Sequence, residues 1–193
     1  MEKYSMYENV ELSLRARNVR DRKRVIMECL ERMGIEELRD KLPGETSGGQ
    51  QQRCAIARAL AADTPLILAD EPTGAVDSKT SNMIQDLFRK LNEELGLTII
   101  IVTHDISLAN KVSRVIMVSD GKISTEKIMK EEYRKNLDEL TTDNLAEVES
   151  HEEYSIMDKA HRVQLSEDFL EMAGIDTNKV RVEVKDGKII ISK

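Results

Sequence analysis

Two short apolar runs separated by a helical pattern place the strongest constraint on how this chain folds. The first run, LILAD, spans Leu66–Asp70, and the second, LTIIIVTH, spans residues 97–104. Between them lies a stripe of apolar side chains at helical spacing, comprising Met83, Ile84, Leu87, Phe88, Leu91 and Leu95. A strand, a helix and a second strand in this order predict an α/β fold with a parallel sheet. Continuous apolar runs are typical of strands buried on both faces, and open parallel sheets bind ligands at their carboxyl edge.

Both predicted strands end in polar side chains that suit phosphate chemistry. Asp70 and Glu71 follow the first run, and His104 ends the second. Because successive strand side chains point to opposite faces, the two acids can take different roles. One can hold a hydrated Mg²⁺ while the other acts as general base on an attacking water, a division that phosphoryl transfer requires. Taken alone, His104 is more simply explained as an ordinary residue at a strand end.

Upstream, the stretch GETSGGQQQRCAIARAL (residues 44–60) predicts a helix with a glycine-rich beginning. Ser47 is a favoured helix-capping residue. Gly48 and Gly49 let backbone amides approach an anion at the positive end of the helix dipole. The sequence contains no G-x-x-x-x-G-K-[ST] loop, which is the usual cradle for the other phosphates of a nucleotide.

Composition narrows the classes of function. The chain has 193 residues, enough for one ordinary domain or one domain with a small appendage. Its net charge of −7 argues against nonspecific nucleic-acid binding as the main role. No apolar run approaches the roughly 20 residues that span a bilayer. Cys29 and Cys54 fall within predicted helices, which favours packed, reduced thiols over a disulfide.

In their order along the chain, these motifs resemble the ATP-binding subunits of ABC transporters. The stretch at residues 44–60 is similar to the SGGQQQR-x-AIARAL signature of lipoprotein-export and macrolide-export ATPases, and the resemblance covers residues 7–124. It implies a nucleotide-contacting set that comprises Ser47, Gly48, Gly49, Gln50 and Asp77, the last in a loop that crosses the dimer interface. It also implies that Asp70 binds the metal, that Glu71 is the catalytic glutamate, and that His104 senses the γ-phosphate.

The same resemblance implies a fold, cofactors and partners. The fold is part of a P-loop NTPase, ABC-type α/β ATPase domain with a helical signature subdomain. The cofactors are ATP and Mg²⁺. The partners are membrane subunits of a transporter and a second ATPase copy in a head-to-tail dimer, with no nucleic acid. The location is cytoplasmic and peripheral to the membrane.

Two departures from the family pattern modify these expectations. Thr46 stands where the family has leucine before its signature, which predicts weaker packing of the glycine-rich tip. The phosphate-binding loop and the glutamine loop of the family are absent from the 193 residues. We therefore expect an N-terminally truncated ATPase that alone neither binds ATP tightly nor hydrolyses it.

The remainder of the chain predicts three further segments. RVIMVSDGKIS, residues 114–124, predicts a hairpin with its turn at Asp120 and Gly121. Residues 125–153 hold 10 acidic and 4 basic side chains, and we interpret 125–154 as a solvated helical linker. Residues 155–193 combine a short helix, a glycine and alternating strands around an Asp-Gly turn, which predicts a small β-hairpin/α module.

Residues 157–193 resemble the AbrB-type swapped-hairpin domain, with His161 in place of its usual glycine and Ser166 in place of its usual proline. That resemblance implies a module that pairs two chains. Residues 155–193 carry 7 basic and 7 acidic side chains, which gives no electrostatic footprint for DNA.

We therefore predict three regions, a partial ATPase domain (1–124), an acidic linker (125–154) and a small module (155–193). The leading hypothesis is an ATPase subunit of an export-type ABC transporter. One alternative is a regulatory protein that dimerises or binds DNA through its C-terminal module. Another is a soluble ABC-type ATPase of DNA repair or translation, which the QQQR continuation disfavours.

Overall fold

The computed structural model describes residues 2–15, 19–74, 76–109, 111–119, 121–134 and 150–193. The chain forms two compact units, Met1–Ile106 and Ser107–Lys193. This division falls earlier than the predicted boundary after residue 124. The reason is that the predicted hairpin at 114–124 belongs to an antiparallel sheet of its own, separate from the parallel strands.

The first unit contains the predicted strand–helix–strand arrangement. Its elements are α1 (Met6–Leu14), α2 (Arg22–Arg32), α3 (Gly48–Ala61), β1 (Leu66–Asp70), α4 (Ser78–Leu95) and β2 (Thr98–Val102), with 3₁₀ turns at Glu36–Leu38 and Pro43–Glu45. Strands β1 and β2 pair in parallel, with Leu68 opposite Ile100. The predicted parallel α/β arrangement is confirmed. Within the described residues, no helix has the length and apolar character to cross a membrane.

Local signals explain where the helices of the first unit begin and end. Ser47 caps α3 and Asp77 caps α4, each accepting a hydrogen bond from a backbone N–H three residues later. Gly34 follows α2 with φ of 59°, and Gly96 follows α4 with φ of 65°. Glycine adopts this left-handed conformation without steric cost, and it stops the helix there.

The helices enclose one aliphatic core. Its fully buried members include Val10 and Leu14 of α1, Leu30 of α2 and Ile84 of α4. The two cysteines are free and buried in the same cluster, as predicted. Burial raises the pKa of the Cys29 thiol to about 11 and raises the pKa of the Cys54 thiol as well, because the charged thiolate is poorly solvated there.

The prediction that both strands are buried on both faces is wrong for the described part of the unit. On one face Ala69, Ile99 and Ile101 pack against the helical core. On the other face Leu68 is 73% exposed and Val102 is 62% exposed. The physical reason is that the described residues place helices against one side of a sheet of two strands.

The second unit is built from short antiparallel strands. Its elements, after a short helix α5 (Ile106–Ala109) at the boundary, are β3 (Arg114–Ser119), β4 (Lys122–Met129), α6 (Glu131–Arg134), β5 (His151–Ser155), α7 (Glu167–Met172), β6 (Arg181–Lys185) and β7 (Lys188–Ser192). Strands β3, β4 and β5 form one sheet, and β6 and β7 form a separate hairpin. Both predicted hairpins are confirmed, although Asp120 of the first turn lies outside the described residues.

The prediction of a helical linker over residues 125–154 is wrong at both ends of that range. Residues 125–129 belong to β4, which pairs with β5 so that Lys127 lies opposite Glu153. Lys127 Nζ lies 2.9 Å from Glu153 Oε2, and Arg114 forms an ion pair with Glu126. Glu126 and Glu153 are thus partners of basic side chains within a sheet, an arrangement that a net-charge count does not reveal. Residues 135–149 lie outside the described residues.

The C-terminal hairpin turns as its Asp-Gly pair predicts. Asp186 has φ of 52° and Gly187 has φ of 74°, the two positive values of a type I′ turn. Ser166 caps α7, with its Oγ accepting from Phe169 N–H at 3.4 Å. His161 has φ of 58°, a left-handed conformation that glycine adopts more readily.

One face of this hairpin is entirely aliphatic and uncovered in the described residues. Val182 pairs with Ile191 and Val184 pairs with Ile189, so these four side chains share a face, which we call the apolar hairpin face. Val182, Val184 and Ile189 are 61%, 76% and 67% exposed. Over residues 155–193 only Ile175 is buried. The segment therefore buries very little apolar surface of its own.

Candidate functional site

The carboxyl ends of the two parallel strands bring Glu71 and His104 into direct contact. Asp70 lies opposite Val102, so the residues that follow β1 and β2 emerge at the same edge. Glu71 Oε1 lies 2.7 Å from His104 Nδ1 and also accepts from His104 N–H at 3.2 Å. Thr103 Oγ1 donates to the other carboxylate oxygen at 3.1 Å. Both oxygens of the predicted catalytic carboxylate are thus held by the two residues that follow β2.

The backbone at Glu71 is also specialised. Its N–H donates to the Val102 carbonyl at 2.9 Å, which extends the β1–β2 pairing by one residue. Its φ is 42°, a left-handed value that is uncommon for a residue with a side chain. Such conformations persist where the surroundings hold them, and they are concentrated at functional sites.

The contact between Glu71 and His104 favours the charged form of each side chain. The hydrogen bond from His104 lowers the pKa of the Glu71 carboxyl, aided by the hydrogen bond from Thr103. The same contact raises the pKa of His104. The His104 side chain is 88% exposed and that of Glu71 is 39% exposed, so solvent reaches both. At neutral pH the site therefore presents an ionised carboxylate beside an accessible imidazole.

Asp70 supplies one exposed carboxylate at the end of β1. The described residues hold no group of three or more His, Cys, Asp or Glu side chains arranged for a metal ion. Mg²⁺ is commonly held by one or two carboxylates together with phosphate oxygens and waters. Asp70 therefore fits a magnesium ion that arrives with a nucleotide, and it does not by itself form a closed metal site.

The SGGQ tip is held in shape by a reciprocal cap. Ser47 Oγ accepts from Gln50 N–H at 3.3 Å, and Gln50 Oε1 accepts from Ser47 N–H at 2.8 Å. Ser47 and Gly48 are exposed, whereas Gly49 is buried. Thr46, which replaces the family's leucine, is half-buried, and its hydroxyl donates to the Pro43 carbonyl at 2.8 Å. The effect of Thr46 on packing of the tip stays a prediction.

Asp77 holds the first turn of α4 with both of its carboxylate oxygens. One accepts from Thr80 N–H at 2.9 Å, and the other accepts from Thr80 Oγ1 at 2.8 Å. These bonds, the backbone one first, lower the pKa of Asp77. Sequence reasoning missed Thr80 and Thr103 as partners of site residues. Asp is a favoured N-cap residue whose side chain accepts from a backbone N–H two or three residues later, and this local signal points to Thr80.

The described hydrogen bonds define three local groups among the predicted site residues. Glu71 is joined to His104, Ser47 to Gln50, and Asp77 to Thr80. Asp70 adjoins the first of these groups through the chain. Roles in binding or catalysis for all of these residues stay predictions.

Comparison with known proteins finds similarity to ATP-binding proteins of ABC transporters. A family model described as ABC transporter matches residues 1–74. The chain is 50% identical over 125 residues to an uncharacterized ABC transporter ATP-binding protein, MJ0796, of Methanocaldococcus jannaschii, covering 62% of this chain and 53% of that protein. It is 42% identical over 132 residues to a lipoprotein-releasing system ATP-binding protein, LolD 1, of Chlorobium chlorochromatii, covering 67% and 54%.

A solved structure shows the same fold. The dimeric structure of the MJ0796 ATP-binding cassette, bound to ADP and Pi in a post-hydrolysis state, matches with a TM-score of 0.60 and 43% identity. The match covers 67% of this chain and 59% of that one. The chain thus spans about half the length of the curated relatives it matches. This chain is therefore homologous to the ATP-binding subunits of ABC transporters and carries part of their mixed α/β ATPase fold.

Proposed function

We propose that this chain contributes ATPase machinery to an export-type ABC transporter, together with a second ATPase copy and membrane-embedded subunits. The observation that carries the proposal is the Glu71–His104 pair at the carboxyl edge of a parallel sheet, in the same unit as the capped SGGQ helix. The lipoprotein-releasing name of one relative supports the export class. The proposal places the chain in the cytoplasm, held at the membrane by its partners.

Where a phosphate-binding loop, which the 193 residues do not contain, holds ATP at this edge, Glu71 orients the water that attacks the γ-phosphorus. The carboxylate is ionised because His104 lowers its pKa, and Thr103 fixes its second oxygen. As the bond from the water oxygen to the γ-phosphorus forms, the Glu71 carboxylate accepts a proton from that water, and the bond between the γ-phosphorus and the β–γ bridging oxygen breaks, which releases ADP and phosphate. His104 holds Glu71 in place beside the γ-phosphate. Asp70 would hold Mg²⁺, which when bound neutralises phosphate charge.

The SGGQ tip serves a nucleotide that is held by the second ATPase copy. The first backbone amides of a helix lack intrahelical acceptors, and the helix dipole favours an anion there. Ser47, Gly48, Gly49 and Gln50 form that end of α3, and Asp77 begins α4. The 193 residues contain no G-x-x-x-x-G-K-[ST] cradle, so the tip cannot complete a site within this chain alone. The dimeric form of the related cassette supports a two-copy site.

The test mixes this chain with an intact homologous ATPase whose catalytic glutamate is replaced by glutamine, so that bound ATP persists. We expect the chain alone to show neither ATP hydrolysis nor micromolar ATP binding in calorimetry. We expect the mixture to show ATP-dependent association in analytical ultracentrifugation. Gln50→Glu retains the reciprocal cap, because glutamate accepts at that position equally well, but adds a negative charge that repels phosphate. It should abolish the association.

Gln52→Glu is the matched control, since it makes the same change in charge two residues further along α3. It should leave ATP-dependent association within about twofold of the unmodified chain, because dipole and charge effects fade beyond the first turn. Absence of association by the unmodified chain, or equal loss in both variants, would refute the proposed role of the tip.

We further propose that residues 155–193 form a pairing module covered by a second copy of the same segment. The observation that favours this role is the apolar hairpin face, which is uncharged while the opposite face carries Arg181, Glu183 and Lys185. Two such faces are self-complementary. Two hairpins can therefore pack face to face at about 10 Å, as the sheets of a sandwich do, without a partner of different sequence. The balanced charge of the segment argues against DNA as its partner. The resemblance to swapped-hairpin domains stays a prediction.

A further inference from the structure

The beginnings of α3 and α4 approach each other unusually closely at Gly49. A Cβ atom built on Gly49 would lie 2.4 Å from the Cγ2 methyl of Thr80. That distance is far below van der Waals contact between carbon atoms. Gly49 lies within α3 and is not in the left-handed region of φ. Glycine is therefore required at this position by the space that Thr80 occupies, and not by the backbone conformation.

Thr80 cannot easily move its methyl group away. Its Oγ1 donates to one Asp77 oxygen at 2.8 Å while its N–H donates to the other at 2.9 Å. Rotation about χ1 that moves Cγ2 away from Gly49 also carries Oγ1 away from Asp77. A β-branched side chain in a helix has few alternative rotamers. Contact with Gly49 and bonding to Asp77 are thus satisfied by one orientation of one side chain.

The contact extends the buried interface of the two helices to their first turns. Thr80 lies one turn before Ile84 on α4, and Gly49 lies two turns before Ile56 on α3. Ile84 and Ile56 are both buried in the core cluster. The half-buried Thr80 therefore continues a packed face and is not an isolated surface contact.

We propose that Thr80 is a positioning residue that fixes the Asp77 loop against the SGGQ tip of the same chain. The link runs from the Asp77 carboxylate through the Thr80 hydroxyl and methyl groups to Gly49. It makes two segments that are 30 residues apart in sequence behave as one rigid surface. The inference rests on the proposed function, in which both segments face a nucleotide or protein partner in the second ATPase copy.

The test is a double-substitution cycle read at Asp77. Gly49→Ala should displace Thr80 and raise the pKa of the Asp77 carboxyl toward its ordinary value, measured by carbon-detected NMR. It should also accelerate hydrogen exchange of the Thr80 amide by roughly five- to tenfold, the loss expected for a broken helix cap. Thr80→Ser should leave both quantities nearly unchanged, because serine retains the Oγ that donates to Asp77.

The combined Gly49→Ala/Thr80→Ser variant should restore both quantities. Without Cγ2, the nearest side-chain atoms of residue 80 lie 3.6 Å from the new Cβ, which is ordinary contact. Gly44→Ala is the matched control, since a Cβ there has nothing within 4 Å. Thr80→Val is a second, independent variant that keeps the branched shape and removes the hydroxyl. It should raise the Asp77 pKa with Gly49 intact.

The outcomes separate this inference from the proposed function. Restoration in the combined variant supports Thr80 as the link. An unchanged Asp77 pKa in Gly49→Ala, or no restoration when Thr80→Ser is added, overturns it. An unchanged Asp77 pKa in Thr80→Val overturns it as well. If the unmodified chain fails to associate with the intact ATPase in ATP, the proposed function fails, while the NMR cycle still decides whether Thr80 links the two segments.

Discussion

The helical part of the first unit and the C-terminal module show opposite relations between apolar sequence and burial. Helices α1, α2 and α4 place Val10, Leu14, Leu30 and Ile84 at 0% exposure. The module at 155–193 has comparable aliphatic side chains, yet it buries only Ile175. An isolated two-stranded hairpin is at best marginally stable in water. The first region thus buries its own apolar surface, whereas the second, within the described residues, leaves its apolar hairpin face exposed to the second copy that we propose.

The largest expected effect tests how tightly the helical core of the first unit is packed. Leu30→Ala should lower the free energy of unfolding by about 2–5 kcal/mol, because it leaves a cavity in a fully buried site. Urea unfolding followed by circular dichroism measures the change. The control is Met172→Ala, whose side chain is 85% exposed, and its effect should stay within about 0.5 kcal/mol. A loss below about 1 kcal/mol for Leu30→Ala would show that this core is not tightly packed.

The second-largest expected effect tests whether a second copy covers the apolar hairpin face. Ile189→Lys introduces a charge on the apolar hairpin face and should weaken self-association at least about tenfold, because burying such a side chain is worth roughly 1.5–3 kcal/mol. Sedimentation velocity over a concentration series measures it. Ile190→Lys makes the same change on the opposite face of β7 and should have little effect. If the unmodified chain stays monomeric over the whole concentration series, a second copy does not cover the apolar hairpin face. Equal weakening of self-association by the two variants would argue against it as well.

A smaller effect concerns backbone strain within the module. His161→Gly should stabilise the second unit by about 1 kcal/mol, because a left-handed conformation costs a residue with a side chain about that much. Slower hydrogen exchange in β6 and β7 would report the gain. Lys159→Gly, where φ is not positive, should instead destabilise, since glycine there only adds freedom to the unfolded chain. Destabilisation by both changes would mean that the His161 side chain makes an important contact.

The smallest effect lies at the exposed sheet edge of the first unit. The stabilising effect of Glu71 is present at neutral pH and is lost as pH falls through its lowered pKa. That of protonated His104 is present below its ordinary pKa of 6.5 and is lost as pH rises through the raised value. The charged pair is therefore most populated in mildly acidic solution. Glu71→Gln should lower the pKa of His104 toward 6.5 in an NMR titration, and no change would mean that the two side chains are not paired in solution.

Elements with local signals could be predicted from the sequence. Ser47 and Asp77 indicate where α3 and α4 begin, and Gly34 and Gly96 indicate where α2 and α4 end. The Asp-Gly turn at residue 186 fixes the last hairpin. Each of these depends on the conformational preference of one or two residues, so the surrounding fold is not needed to recognise them.

Features set by distant contacts could not be predicted in the same way. The exposure of Leu68 depends on what the rest of the molecule places against β1, which an apolar run does not specify. The pairing of Lys127 with Glu153 makes strands of a segment whose average composition suggests a solvated helix. The contact of Thr80 with Gly49 joins residues that no short motif connects. Order and spacing along the chain thus indicate the candidate site residues, whereas their partners depend on how the chain folds.

The two buried thiols, Cys29 and Cys54, can report on local opening of the helical core. Because Cys29 and Cys54 are buried, and burial also raises the pKa of both thiols, we expect thiol reagents near neutral pH to react with them mainly when the core around α2 or α3 opens. Their labelling rates therefore measure the opening of two helices separately, in the unmodified chain. A cysteine introduced on an exposed strand of the second unit should be labelled faster than either buried thiol. The two natural cysteines thus report on opening of the first unit, and the second unit, which has no cysteine in the sequence, can take a single introduced label.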